Sequence, residues 1–400
     1  MNKVILHCDL NCFFASVEML YHPEYRNVPM AIGGDQERRH GIILAKNVLA
    51  KNKGIKTAES IVEAKRKCPK LIIRPADYDS YVYFSDKVRQ IYYQYTDKVE
   101  PFGIDECWLD VTESVSYFGS IEKIVNDLLS RIRNELGLTI SIGIADNRYY
   151  AKLGSDLAKE DSCCYVNGLK DIEYMSAGSL LGVGKRMAET LLAFNIRTIG
   201  DLASRPVSYL VEHFGKYGQN LHDVANGIDH GEIFSTFHEQ ETPKSISHTI
   251  TSYKDICDLD EFKLILTSVS EHVASDLRRQ GLYYSTVHIF LRDSQMKART
   301  IQETLSENSD LAKDIYDVSL KLFIQNCDFA IPYRAIGVAV SKLCDHKQIC
   351  QTSLFEKSHY SLAQKKKEVA IDDIRRRFGD NSIFSLRMLQ DRKLSGVDHD

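Results

Sequence analysis

Along the first 165 residues the apolar positions switch repeatedly between a period of two and a period near 3.6. Val4 to His7 is a short apolar run that reads as a strand and delivers Asp9 to its end, and an amphipathic helix starts near Phe13. Met30 to Ile32 and G-I-I-L-A read as strands. K-N-V-L-A-K-N-K-G-I reads as a helix closed by Gly54, and I-V-E-A-K-R-K-C-P as a second one ended before Pro69. L-I-I-R-P is a strand, and Tyr78 to Tyr95 a helix whose rings recur at core spacing. P-F-G-I-D-E-C-W-L-D-V is a further strand holding Asp105 and Glu106, followed by a helix from Ile121 to Leu136 and the strand T-I-S-I-G-I-A. D-N-R-Y-Y-A-K-L-G-S-D-L-A-K-E then opens with Asp146 or Asn147 as N-cap and carries Lys152 and Lys159 one heptad apart on one helix face. The order β-α-β-β-α-β predicts a ferredoxin-like α+β sheet with helices on one face and a small basic insertion after its first helix.

Further on, L-L-G-V-G-K-R-M-A-E-T-L-L-A-F-N-I-R-T-I-G-D-L-A (180–203) predicts two short helices around a glycine turn. Its free backbone N–H groups and the positive end of the second helix make an anion cradle of the helix-hairpin-helix kind. F-G-K-Y-G-Q-N-L-H-D-V-A-N-G-I-D continues this helical domain, and the polar stretch around Pro243 reads as a linker. Beyond it T-V-H-I-F-L-R and R-A-I-G-V-A-V-S-K-L are strands flanking helices near 258–279 and 309–325, a separate α+β domain followed by the basic helix A-I-D-D-I-R-R-R-F-G.

A chain of 400 residues, 44% hydrophobic and 26% charged, is long enough for roughly two to four domains. It contains no apolar run of membrane-spanning length and no signal-peptide pattern at its N-terminus, so a cytoplasmic protein with no membrane partner is expected. The ten cysteines are scattered, without a C-x-x-C pair, and read as reduced core thiols. A net charge of −4 speaks weakly against a nucleic-acid partner, but basic residues crowd two segments, Lys51 to Arg74 and Lys365 to Arg377, and local charge is what a phosphate backbone meets. Taken alone, each run is more often a solvated helix face.

The chemistry centres on Asp9, Asp105 and Glu106. Three carboxylates from two strands supply the hard oxygen ligands that Mg²⁺ prefers, and two such ions a few ångströms apart would activate a hydroxyl and stabilise a leaving phosphate. Mutual repulsion should raise at least one carboxyl pKa in the absence of metal. Neighbouring strand residues point to opposite faces, so Asp105 and Glu106 share a site only if the chain bends, which Gly103 permits, or if the longer Glu side chain reaches around. Phe13 and Phe14 follow so closely that one ring must lie near whatever the metals bind, and Lys159 suits a triphosphate as a point charge.

D-L-N-C-F-F-A-S-V-E, D-E-C-W-L-D-V-T, S-I-G-I-A-D-N-R-Y-Y-A-K-L-G-S-D-L-A-K, L-G-V-G-K and I-D-D-I-R-R-R-F-G, in this order over nearly the whole chain, resemble a Y-family translesion DNA polymerase of the bacterial DNA polymerase IV and UmuC-like group. The resemblance implies a palm (1–12 and 75–165), fingers (13–74), a helix-hairpin-helix thumb (166–235), a linker (236–243), an α+β little finger (244–350), and a clamp-docking motif with a basic helical tail (351–400). It implies that Asp9, Asp105 and Glu106, with the Leu10 carbonyl, hold two Mg²⁺ ions. Phe14, beside Phe13, would exclude a ribose 2′-hydroxyl, and Lys51 and Lys159 would meet the nucleotide. Gly182, Gly184 and Lys185 would grip DNA, and Q-T-S-L-F, through Gln351, Leu354 and Phe355, would dock on the sliding clamp. Primer–template DNA, dNTPs and the clamp are the implied partners of a monomer.

One departure stands out. Where such fingers present a Thr, a Tyr and an Arg, this chain has Ala45, Val48 and Lys51, losing a hydroxyl, a ring and a bidentate guanidinium, with Lys46 the nearest cation that would compensate. Weaker nucleotide affinity follows. Arg148 and Glu160 replace a usual Lys and Pro. Two rivals compete with a low-fidelity polymerase. A phosphohydrolase is disfavoured by Asn11, which stands where such enzymes want a second Asp, and a non-catalytic clamp-associated DNA-binding factor is disfavoured by the intact carboxylates.

Overall fold

The computed structural model describes residues 3–34, 41–233, 242–346 and 362–395. It divides into two compact units, of which the first holds residues 3–34 and 42–233 and the second the residues from 242 onward. The 236–243 linker falls almost wholly outside the described residues, as does the whole of Gln351–Phe355.

The first unit opens with β1 (Ile5–Leu10), α1 (Phe13–Tyr21), β2 (Met30–Gly33), β3 (Ile43–Lys46), α2 (Val48–Asn52), α3 (Ile61–Lys67) and β4 (Ile72–Arg74). It continues with α4 (Tyr78–Tyr92), β5 (Val99–Phe102), β6 (Glu106–Asp110), α5 (Ser114–Phe118), α6 (Ile121–Leu136), β7 (Ile140–Ala145), α7 (Arg148–Leu157) and β8 (Ser162–Tyr165). It closes with α8 (Lys185–Ala193), α9 (Ile199–Ala203), α10 (Val207–Phe214) and α11 (Lys216–Ala225).

The main sheet runs β5-β6-β1-β7-β8, and each of its first four strands is antiparallel to its neighbours among them, which is the ferredoxin-like order the sequence predicts. β1 lies at its centre and is buried at every position but Asp9. Strand alternation sends Leu6, Cys8 and Leu10 to one face, where they share a core with Val88 and Ile91 of α4 and Leu128 and Ile132 of α6. Ile5 looks to the other face, into a core with Ala151 and Leu153 of α7 and with residues of α8 to α11. The helices therefore do not lie on one face, as the β-α-β-β-α-β order suggested. The extra α7–β8 unit, with β8 parallel to β7, places α7 on the side opposite α4 and α6.

That placement needs two glycines. A Cβ at Gly143 would sit 1.8 Å from the Ala151 carbonyl oxygen, and one at Gly154 would sit 2.9 Å from the Gly143 Cα, so helix and strand backbones touch. Asn147 caps α7, its side chain accepting from Tyr150 N–H. The helix ends at Leu157, so Lys159 lies beyond it and does not share a helical face with Lys152. Arg148 fastens the start of α7. Its guanidinium reaches Asp229 (2.9 Å), Glu100 (3.1 Å) and the Glu232 carbonyl (2.9 Å), while Trp108 Nε1 donates to the Arg148 carbonyl at 3.0 Å.

The insertion is a three-stranded sheet, β3-β2-β4, with α2 and α3 packed on it. Ahead of α8 the chain forms two 3₁₀ turns (Leu169–Asp171 and Ala177–Ser179) and not the first of two α-helices. Gly182 then turns with φ +88°, and Gly184 caps α8. The cysteine expectation holds for Cys8, Cys68 and Cys107, which are buried, but Cys163 and Cys257 are exposed.

In the second unit β9 (Ser245–Ile256), α12 (Leu259–Arg279), β10 (Tyr284–Asp293), β11 (Ala298–Ser309), α13 (Ala312–Asn326) and β12 (Tyr333–Ser341) form an antiparallel sheet of order β11-β10-β12-β9 under α12 and α13. The long strands β9 and β11 were not separable in the sequence, because both mix charged and hydroxyl residues on one side. α14 (Leu362–Phe378) and α15 (Arg392–Ser395) pack onto this unit. Arg278 is nearly buried between Glu368 and Asp372, at 2.6 Å from each, and also donates to the Asp310 carbonyl. Lys365 pairs with Asp310 and Arg375 with Glu271, both at 2.7 Å. These members of the late basic run are spent on docking the tail, and breaking such a buried network is costly. No helix among the described residues is long and apolar enough to cross a membrane.

Candidate active site

The register of β1 builds the site. Asp9 pairs directly with Glu106 on β6 and with Ser141 on β7. Residues opposite one another across antiparallel strands project to the same face, so the two carboxylates are neighbours because of backbone pairing alone. Asp105 is not in the strand. The chain turns at Gly103, with φ +83°, through Ile104 and Asp105, and β6 begins at Glu106. Strand alternation therefore does not force Asp105 and Glu106 apart. The Leu10 N–H donates to the Asp105 carbonyl at 3.0 Å, which ties this turn to the end of β1.

Lys152 reaches in from α7. Its ammonium lies 3.1 Å from Glu106 Oε2, 3.4 Å from Asp9 Oδ2 and 2.9 Å from Asp156 Oδ1. Behind Glu106 the buried His7 ring completes a chain of contacts, with Nδ1 2.7 Å from Ser155 Oγ and Nε2 3.2 Å from Glu106 Oε2. The last contact is bent, and neither His7 Nε2 nor Glu106 Oε2 has a well-directed hydrogen bond among the described residues. The Ser155 hydroxyl donates to the Lys152 carbonyl at 2.8 Å, so its oxygen is left to accept from His7 Nδ1.

The electrostatics follow from this crowding. Burial, then the adjacent Glu106 charge, pushes the Asp9 carboxyl up to about 7, and Lys152 only partly offsets it. Burial and Glu106 raise Asp105 as well. Burial also works on Glu106, but contact with His7 and the charge of Lys152 outweigh it and leave this carboxyl below its ordinary value. Burial holds His7 below its usual pKa, so it is neutral at pH 7. Negative charge thus exceeds what one lysine balances.

That surplus, the buried and undirected Glu106 oxygen, and an all-carboxylate donor set fit a hard divalent cation. The side chains are not drawn together as ligands in this structure. Among the described residues no three His, Cys, Asp or Glu side chains form a metal-binding cluster. Lys152, set between Asp9 and Glu106, accounts for that, since it supplies positive charge at the place where the two carboxylates meet.

The aromatic pair after Asp9 divides its work. Phe13 is buried in the core, whereas Phe14 is half-buried and stacks flat on Tyr81, ring centroids 4.2 Å apart and planes 9° apart. The Tyr81 hydroxyl donates to buried Glu18 at 2.9 Å, so the platform under Phe14 is fixed. Phe14 shares a packing cluster with Cys12 and Ala45. Lys51 and Lys159 are both exposed. Gly184 has open space where a Cβ would be, and Lys185 beside it is exposed. The contacts of Lys152 and His7, and the Tyr81 stack, were not found from the sequence. Lys152 was in view as a heptad partner of Lys159, and the tilt of α7 over β1 decides between the two.

Comparison with known proteins places these features in order. Residues 8–156 match the impB/mucB/samB family, residues 243–354 the impB/mucB/samB family C-terminal domain, and residues 178–229 the thumb domain of DNA polymerase-iota. A DNA polymerase IV of Acetivibrio thermocellus is 39% identical over 99% of this chain and all of its own length. A DNA polymerase IV of Clostridium kluyveri is 34% identical over 98% of this chain and all of its own. Among solved structures, a Y-family DNA polymerase chimera (Dbh-Dpo4-Dbh) superposes with a TM-score of 0.74 at 20% identity, covering 85% of this chain and 98% of the chimera.

A raised carboxyl binds a proton in the folded chain that the unfolded chain has already released. Asp9 therefore lowers metal-free stability as pH rises from about 4 to about 7, and the loss persists above that. Asp9→Asn is expected to stabilise the metal-free chain at pH 8 by about 1–3 kcal/mol, with the gain vanishing near pH 4. Thermal denaturation in EDTA at the two pH values checks this, and an equal gain at both would place the effect elsewhere.

Proposed function

The chain belongs to the impB/mucB/samB family and is a low-fidelity, template-directed translesion DNA polymerase, and we propose that Asp9, Asp105 and Glu106 are its catalytic metal ligands. The Asp9–Glu106 register pair, with its surplus of negative charge, carries that reading. Two Mg²⁺ ions, when bound, would lower the pKa of the primer 3′-hydroxyl and stabilise the charge on the leaving pyrophosphate in one in-line displacement. The chain's own residues supply position. β1 and β6 hold Asp9 and Glu106 side by side, the Gly103 turn sets Asp105 next to them in the chain, and His7 packs behind Glu106. Lys152, already 2.9 Å from Asp156, would keep that partner with metal bound between Asp9 and Glu106.

In this reading Phe14 is the steric gate. Its stack on Tyr81 keeps the ring from swinging aside when a ribose 2′-hydroxyl presses on it. Lys51 and Lys159 would meet the triphosphate, the Leu10 carbonyl would serve as a further metal ligand, and Gly182, Gly184 and Lys185 would meet DNA phosphate without reading sequence, as the open space at Gly184 allows. The 13–74, 166–235 and 244–350 segments act as fingers, thumb and little finger around primer–template DNA and dNTP. Gln351, Leu354 and Phe355 dock a monomeric, cytoplasmic enzyme on the sliding clamp.

Extension of a primed template with Mg²⁺ and dNTPs is expected from the purified chain and is expected to fall at least about a thousandfold in Asp105→Ala, Glu106→Ala. Retained extension in the double variant would remove those two residues from the metal site. Phe14→Ala should incorporate ribonucleotides, and unchanged dNTP-over-rNTP selectivity would remove the gate assignment. Deleting 351–355 should abolish stimulation by added clamp while basal extension persists, and surviving stimulation would refute docking through that segment.

A further inference from the structure

Asn11 follows Asp9 by two residues, just past the end of β1, and its side chain joins that strand to the loop between α7 and β8 that carries Lys159. We propose that Asn11 is a positioning residue that fixes the backbone of Lys159, an inference that rests on the reading of Lys159 as a triphosphate contact. Both polar atoms of the Asn11 side chain are engaged. Its Oδ1 accepts from the Asp161 N–H at 3.0 Å, and its Nδ2 donates to Ser141 Oγ at 2.8 Å. Ser141 in turn donates to the Lys159 carbonyl at 3.2 Å. Two hydrogen-bonded routes therefore run from one side chain, one to Lys159 itself and one to the residue two positions on.

Ser141 also shows where this loop lies. It pairs with Asp9 across β1 and β7, and directly paired residues project to one face, so the Lys159 backbone is tied to the strand position opposite Asp9. Asn11 is itself pinned. Its N–H donates to the Thr139 carbonyl at 2.9 Å, and its carbonyl accepts from Ser16 Oγ of α1 at 2.8 Å. The loop needs such holding, because Asp161 has φ +56°, a left-handed conformation that is unfavourable for a residue with a side chain. Arg133 pairs with the Asp161 carboxylate, and Ser162 Oγ donates to the Lys159 carbonyl at 2.8 Å. Those contacts steady the loop within its own surroundings, whereas Asn11 and Ser141 join it to the strands that hold Asp9. Lys159 is exposed, and a compact ammonium on a flexible stem reaches only as far as its backbone allows. A small shift of that backbone would therefore move the charge off a bound phosphate. Asn11, engaged with protein atoms at both ends of its amide, acts through Lys159 and not on substrate.

The test is equilibrium binding of Mg²⁺·dTTP to the full chain on a primer–template with a dideoxy 3′ end, so that binding is read without chemistry. Lys159→Met should weaken dTTP about tenfold or more. Asn11→Leu, which keeps the side-chain shape and removes both contacts, should weaken it about threefold to tenfold, leave DNA affinity within about twofold, and raise KM for dTTP far more than it lowers kcat in extension. In the Lys159→Met chain the same Asn11→Leu change should alter dTTP affinity by less than about twofold, because the group it positions is gone. Ser141→Ala should give a smaller loss, about twofold to threefold, and carries the test if Asn11→Leu does not fold. Unchanged dTTP binding in Asn11→Leu or, should that variant not fold, in Ser141→Ala overturns the proposal alone, as do losses that multiply in the double variant or an equal loss of DNA affinity. Unchanged binding in Lys159→Met overturns the triphosphate assignment together with the proposal, and a wild-type chain that neither binds dTTP nor extends primer overturns the polymerase reading as well.

Discussion

The pairing of β1 with β6 that sets Asp9 opposite Glu106 is the constraint on which the rest depends. Two carboxylates held side by side by backbone hydrogen bonds cannot relax apart, so their repulsion is built into the sheet. The fold supports this unfavourable arrangement with central burial of β1, a helix seated directly on the strands through Gly143 and Gly154, and a lysine drawn from that helix into the carboxylates. Stability is given up at one point because the surrounding core over-determines it.

Around that point the contacts of α7 explain how one element serves both fold and chemistry. Its first residue, Arg148, gathers Glu100, Asp229 and the Glu232 carbonyl and fixes the helix against the segment after α11. One turn on, Lys152 meets Asp9 and Glu106, and Ser155 steadies His7 behind Glu106. A lysine at position 148 would keep a charge but lose the fork that holds three partners at once.

Much of this was legible in the chain itself. The two periodicities separated strands from helices around residues 1–165, and the positions of Asp9, Asp105, Glu106 and Phe14 followed from short blocks whose order is specific. What was not legible depended on three-dimensional registration. Nothing in the spacing says that α7 crosses to the opposite face of the sheet, since a close helix–strand approach shows in sequence only as two isolated glycines. The heptad relation of Lys152 and Lys159 presumed a helix that ends before the second lysine. A strand that includes Asp105 would send Asp105 and Glu106 to opposite faces, and the turn at Gly103, with its positive φ, starts the strand at Glu106 instead. β9 and β11 do not read as strands in the sequence, because their exposed sides are too polar.

The central claim is that this carboxylate set holds two divalent ions during nucleotide addition. Its most direct test is a count of bound Mn²⁺ by electron paramagnetic resonance, in the complex with dideoxy-terminated primer–template and dNTP. The account predicts two ions per chain in the wild type and fewer in Glu106→Gln. A wild-type complex that binds dNTP with one ion or none, or a Glu106→Gln complex that still holds two, would contradict it.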